Sequence, residues 1–160
     1  MLESEVLSTL KTILALASTR EEKARHVADA ICASGPYRWV GIYDVDSANG
    51  RVSNIAWSGA GAPAHPTFPV KKGLTSRAIR MKKTVNVGDV TNDIDYLTAL
   101  SNTRSEIIVP ILDDAGKHIF GTIDVESEKV NAFDHTTERL LEQCAVALRP
   151  LWVTEQNRTL

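Results

Sequence analysis

Cysteine is scarce in this chain. Cys32 and Cys144 are the two present, too few for a disulfide scaffold. No apolar run approaches the length of a membrane span, and the N-terminus carries acids where a signal peptide would carry basic residues. Cationic excess is missing as well: the formal net charge is -2, and the short pairs Lys71-Lys72 and Lys82-Lys83 are too sparse for a nucleic-acid footprint. The histidines His26, His65, His118 and His135 show no metal-ligand spacing. No Ser or Thr belongs to a recognisable hydrolase triad. These absences leave a cytoplasmic binding or catalytic domain as the expectation, with no membrane and no nucleic-acid partner. At 160 residues and 43% hydrophobic content, it is long enough to bury one sizeable core.

What is present centres on residues 104–126. Two β-branched runs flank Asp113-Asp114-Ala115-Gly116, which is a hairpin signal. Alternation along the second run places Ile119, Gly121, Ile123 and Val125 on one face. His118, Phe120, Thr122, Asp124 and Glu126 fall on the other. Asp124 and Glu126 then lie about 7 Å apart along the strand. Glu106, equally far from the turn, falls near the matching end of the first run. Three carboxylates on one patch repel each other and lose hydration, so a cationic ligand, donors or open water must offset them. A solvated acidic face fits the same three positions. A pocket there favours an ammonium or guanidinium group, with Arg104 and Arg77 available for a carboxylate, Trp57 as a wall, Trp39 as a core residue or a second wall, and Tyr96 as a lid.

Around this hairpin the chain reads as one α+β domain. An apolar stripe at Leu2, Val6, Leu10, Ile13, Leu14 and Ala17 predicts a first helix. Ser18 or Thr19 can cap a second, which Gly35-Pro36 ends. Strands are expected over 39–45 and 51–57, followed by a long loop over 58–69 that contains His65. A short helix from Leu74 to Met81, capped by Thr75 or Ser76, precedes a strand near 83–87. The polar stretch 89–103 allows a helical turn around Tyr96 to Leu100. Asp134 can cap a last helix, in which Pro150 forces a kink or a stop. The terminal helices are expected on one face of a central antiparallel sheet, and the loop and middle segments on the other, where a pocket would form.

Several segments in order carry a family resemblance: Trp39-Val-Gly-Ile-Tyr43, Pro69-Val-Lys-Lys-Gly-Leu74, Val85-Asn-Val-Gly-Asp-Val90, Ser105-Glu-Ile-Ile-Val-Pro-Ile111, Gly121-Thr-Ile-Asp-Val-Glu126 and Phe133-Asp134. The chain resembles a GAF domain, with a core over about 20–148 inside a single domain of residues 1–160. The resemblance implies a six-stranded antiparallel sheet, small-molecule binding, a signalling role and a homodimer formed through the terminal helices. Within that family it looks most like the free methionine-(R)-sulfoxide reductases, whose Ser-Glu-Ile and Ile-Asp-x-(Asp/Glu) motifs line the substrate pocket. These carry over to Glu106, Asp124 and Glu126. The reductase cysteines do not carry over: the matching positions hold Ala99 and Thr75. Without a thiolate there is no attack on a sulfoxide sulfur. The expectation is therefore a non-catalytic sensory module for a small polar ligand, such as an amino acid or derivative. A reductase using Cys32 or Cys144, and a ligand-free dimerisation module with Leu10 and Leu148 in its interface, stand as alternatives. No cofactor is identified: a bilin would need a pocket cysteine, haem has no positive signal, and no metal site is evident.

Overall fold

A computed structural model describes residues 3–97 and 102–153. The first helices are α1, Glu3–Leu14, and α2, Arg20–Ala33. Thr19 caps α2: its Oγ1 accepts the Glu22 backbone N–H at 3.1 Å, while the Glu22 carboxylate accepts the Thr19 N–H at 3.4 Å. This reciprocal pair satisfies two donors that a helix start leaves unpaired. The strands β1, Trp39–Asp46, and β2, Arg51–Gly59, follow as a hairpin.

The expected loop over 58–69 is partly strand. Its last residues form β3, Thr67–Pro69, on the outer edge of β2. The short helix α3, Thr75–Met81, begins without a side-chain cap on its backbone. Ser76 instead donates its hydroxyl back to the Gly73 carbonyl at 2.8 Å. The strand β4, Val85–Val87, precedes a 3-10 turn at Val90–Asn92. The remainder of the turn expected around Tyr96 to Leu100 lies largely outside the described residues. The central hairpin is β5, Ser105–Leu112, with β6, Ile119–Ser127. Asp134 caps α4, His135–Ala147, by accepting the Thr137 N–H at 2.8 Å. Pro150 does end the helix, which passes into a 3-10 turn at Arg149–Leu151.

The six strands form one antiparallel sheet in the order β3-β2-β1-β6-β5-β4. The hairpins β1–β2 and β5–β6 sit side by side, joined by β1 against β6. Helices α1, α2 and α4 cover one face. Val6, Leu10, Val27, Ile31, Ile42, Ile107, Ile123, Val125, Leu141, Cys144 and Leu148 fill the space between. Leu10 and Leu148 are fully buried in this core, which corrects their placement in an interface between chains. The other face is covered by α3 and the segments before and after it.

One face assignment fails within β6. Ile111 pairs with Gly121, but Leu112 pairs with Ile119, so Phe120 is an extra residue. Such a bulge reverses the alternation beyond it. Ile119 therefore joins Trp39, Tyr43 and Phe68 on the face away from the helices. Phe120 turns to the helix side and stacks on Trp152 at 6.2 Å between ring centroids.

Candidate functional site

The bulge spares the upper half of β6, and there the carboxylates gather. Glu106 stands directly across from Glu126 in the β5–β6 register. Asp124 lies two residues along from Glu126 on the same face, opposite Gly41 of β1. The relative exposures of Glu106, Asp124 and Glu126 are 3%, 6% and 0%, so they are not a solvated acidic face. Gly41 helps make the room: a Cβ there would sit 2.3 Å from the Trp39 ring and 2.8 Å from the Tyr43 ring. Any side chain would push those rings out of place.

Glu106 and Asp124 form the floor of a narrow cavity. Tyr43, His65, Phe68, Gly73, Leu74, Thr75 and Leu97 complete its lining. Its volume of about 10 Å³ holds roughly one water. One oxygen of each floor residue, Glu106 Oε2 and Asp124 Oδ1, is buried without a hydrogen-bond partner. Glu126 stands one rung away, where the Tyr96 hydroxyl donates to its Oε1 at 3.3 Å.

Burial, then the charges of Asp124 and Glu126, push the Glu106 carboxyl well above the ordinary carboxylate range. Burial also raises Asp124, to about 7, against a hydrogen bond with Glu106 that lowers it. The cause is physical: ionised carboxylates in a dry site lack the water that would stabilise them, and they repel one another. Tyr43 is raised by burial and by the same three acids. The pair Glu106–Asp124 therefore retains a proton under conditions where a surface carboxylate has none.

The other expected site residues lie around this cavity in unequal ways. Tyr96 covers the acids. Thr75 lines the cavity and is 4% exposed, while Ala99 lies outside the described residues. Trp39 is fully buried, and its indole N–H donates to the Gly61 carbonyl at 2.9 Å, tying the loop down. Trp57 packs against the same aromatic cluster, but lines a groove beside α2 instead of the cavity. Arg77 is engaged with Asp93 and Asp95, and half-exposed Arg104 with Asp89 at 3.5 Å. Neither lines the cavity. Cys32 and Cys144 are unbridged and belong to the core between helices and sheet, so the sheet separates both from the acids.

Sequence reasoning passed over Tyr43, Phe68 and Leu97 as cavity residues. Tyr43 had a usable signal, since it follows Gly41 by two in a strand and so shares its face. Phe68 comes from β3, a three-residue edge strand too short to show a period, and Leu97 from a segment outside strands and helices.

The sequence profile of the GAF domain matches residues 17–148. The chain is 32% identical over 105 residues to GAF domain-containing protein A of Dictyostelium discoideum, covering 66% of this chain and 63% of that protein. It is 32% identical over 107 residues to free methionine-R-sulfoxide reductase of Saccharomyces cerevisiae, covering 67% and 58%. It thus spans about three fifths of the length of these curated relatives. The X-ray structure of free methionine-R-sulfoxide reductase from Neisseria meningitidis in complex with its substrate superimposes with a TM-score of 0.84 at 28% identity, covering 99% of this chain and 91% of that one.

Proposed function

The chain belongs to the GAF domain family, and from that premise we propose that it is a non-catalytic sensory module that binds a small amine-bearing molecule over Glu106, Asp124 and Glu126. The observation that carries this reading is the cavity floor. Two buried carboxyl groups each present an oxygen with no partner, and no Lys or Arg among the described residues lines the cavity to answer them. An ammonium group supplies three donors and a positive charge, which removes both the unsatisfied acceptors and the repulsion. The aromatic and aliphatic walls from Tyr43, Phe68, Leu74 and Leu97 suit a short apolar tail. An amino acid or a derivative of one has both parts. A homodimer and a cytoplasmic setting belong to the same reading. Among the described residues no helix is long and apolar enough to cross a membrane.

Isothermal titration across free amino acids, simple amines and nucleotides tests this. The expected hit is an amine-bearing compound whose binding is lost in Glu106→Gln and Asp124→Asn. A screen in which only amine-free compounds bind, or none at all, sinks the reading.

A second reading is favoured by the likeness to the reductases: the chain reduces free methionine-(R)-sulfoxide through Cys32 or Cys144. The separation of both sulfurs from the acids by the sheet weighs against it. In Cys32 the desolvation of a half-buried thiol raises its pKa, which disfavours the reactive thiolate. Thioredoxin-dependent turnover of the sulfoxide, abolished in a Cys32→Ser, Cys144→Ser double variant, would establish this reading in place of the first.

A further inference from the structure

A cavity with room for one water cannot take an amino acid as it stands, since small-molecule sites span roughly 300–1,000 Å³. Something over the acids must move. The segment Asp93–Leu97 covers both parts of the acid cluster: Leu97 lines the cavity, and Tyr96 reaches Glu126. Leu97 also rests on Gly73, where a Cβ would come within 3.1 Å of the Leu97 Cβ.

Apolar packing holds this segment on its inner side alone. Ile94, in its middle, is 98% exposed. The charges oppose closure, because Asp93 bears on the already crowded Glu106 carboxyl and raises its pKa further. Opposing that repulsion is Arg77 on α3. Its Nε donates to Asp95 Oδ2 at 2.9 Å, and a terminal nitrogen donates to Asp93 Oδ1. The hydrogen bond from Arg77 comes first among the causes that hold the Asp93 carboxyl below its usual range. Asp93 Oδ1 accepts the Asp95 N–H as well, at 2.9 Å. One guanidinium therefore fixes both the ends of a tight turn and the turn to α3. Its planar fork presents donors in a fixed geometry to both carboxylates, where an ammonium acts as a point charge on a flexible stem.

We propose that Arg77 is the latch of the cavity: its bonds to Asp93 and Asp95 hold Asp93–Leu97 closed over Glu106 and Asp124, and opening of this latch sets the rate at which a ligand enters and leaves. Arg77 is a positioning residue in this scheme and touches no ligand. The ligand in question rests on the amine-binding reading above, while the closing contacts stand without it.

Hydrogen exchange tests the latch in the ligand-free protein. The Asp95 N–H donates to the Asp93 carboxylate and the Tyr96 N–H to the Asp93 carbonyl, so both report the turn. In Arg77→Gln these amides should exchange about tenfold faster, the expected size for losing two partly exposed ion pairs, while amides of β5 and β6 keep their protection. Asp95→Asn, a milder change, should show a smaller acceleration at the same amides. High salt should narrow the gap between the wild type and the variants. Unchanged exchange in Arg77→Gln overturns the proposal, and so does an acceleration that spreads into β5 and β6, because Arg77 would then support the fold as a whole.

Stopped-flow binding of L-methionine, L-methionine sulfoxide and L-arginine adds the second readout. Association and dissociation should both quicken in Arg77→Gln, with a smaller change in Kd. Binding at wild-type rates overturns the latch and leaves the pocket standing. Faster exchange with none of the probes bound supports the latch and counts against the amine ligand.

Discussion

The two faces of the sheet are built from the same strands on opposite principles. On the helix side, Ile123 and Val125 of β6 meet Leu10, Ile31 and Leu148 in a fully buried apolar layer. On the far side, Asp124 and Glu126, the intervening and next residues of that strand, are buried as well, on a face whose other side chains include Tyr43, Phe68, Leu74 and Leu97. The first face lowers free energy by removing apolar surface from water. The second raises it, because carboxylates lose hydration there. A fold that places its least favourable burial back to back with its most favourable can carry a strained site on a rigid support. The contrast teaches where stability and where ligand chemistry should respond to substitution.

The largest effect belongs to the helix side. Leu148→Ala removes a fully buried side chain and should cost about 2–5 kcal/mol of folding free energy. Urea unfolding measures it. A loss below about 1 kcal/mol would mean that this layer is not the support described.

Next comes the acid pair, where the response should have the opposite sign. Both Glu106 and Asp124 have raised pKa values in the folded state. A raised carboxyl contributes stability that is fully present below the unfolded pKa, about 3.9 for Asp, and is lost as pH rises through the folded value, about 7 for Asp124. This pair alone therefore makes the ligand-free protein less stable between about pH 4 and pH 7. Asp124→Asn should flatten that slope and raise the melting temperature by a few degrees at neutral pH, while abolishing amine binding. For the wild type, affinity for an amine should increase with pH through neutrality, as the shared proton leaves. Melting curves from pH 4 to 8 decide it: a variant with the same slope as wild type would locate the pH dependence elsewhere.

Thr122 offers a smaller test of the same contrast. It is fully buried on the acid face, and its hydroxyl has no hydrogen-bond partner. Thr122→Val keeps the shape and removes the unanswered group, so it should stabilise by about 1 kcal/mol. The equivalent change on a surface strand would do little. Destabilisation would reveal a partner for that hydroxyl, such as an ordered water.

How much of this was legible in the residues depends on periodicity. The Thr19 and Asp134 caps, the Glu106–Glu126 pairing and the shared face of Asp124 follow from local rules with a period of two or from capping chemistry. Those rules stop at the bulge. Nothing in Leu112 or Phe120 announces the extra residue, so Ile119 and Phe120 exchanged faces unseen. The lining from Phe68 and Leu97 was equally hidden: β3 is three residues long, too short to show a period, and Leu97 depends on where a segment outside strands and helices settles after the sheet has formed. Charge type was readable as well, but its use was not. The sequence offered Arg77 and Arg104 as equivalent cations for a ligand carboxylate. Which acids they meet is set by tertiary placement: Arg77 meets two, both in the cover of the cavity, and Arg104 meets one at the surface.

That distinction supplies the smallest expected effect. Arg104 is anchored through its backbone, which donates to the Ser127 carbonyl at 2.8 Å and accepts from the Val90 N–H at 2.8 Å. Its guanidinium is about half exposed and pairs with Asp89 at 3.5 Å, itself about half exposed. Water and salt screen such a pair, and holding two long side chains in one geometry opposes it. Arg104→Gln keeps the backbone contacts and should change stability by less than about 0.5 kcal/mol, with exchange at Asp95 and Tyr96 untouched. Arg77→Gln, an identical chemical change, should open that turn. The two variants differ only in what the lost guanidinium was holding. If Arg104→Gln instead weakens amine binding as strongly as Asp124→Asn, Arg104 contacts the ligand after the cover opens. The resting geometry would then understate the site.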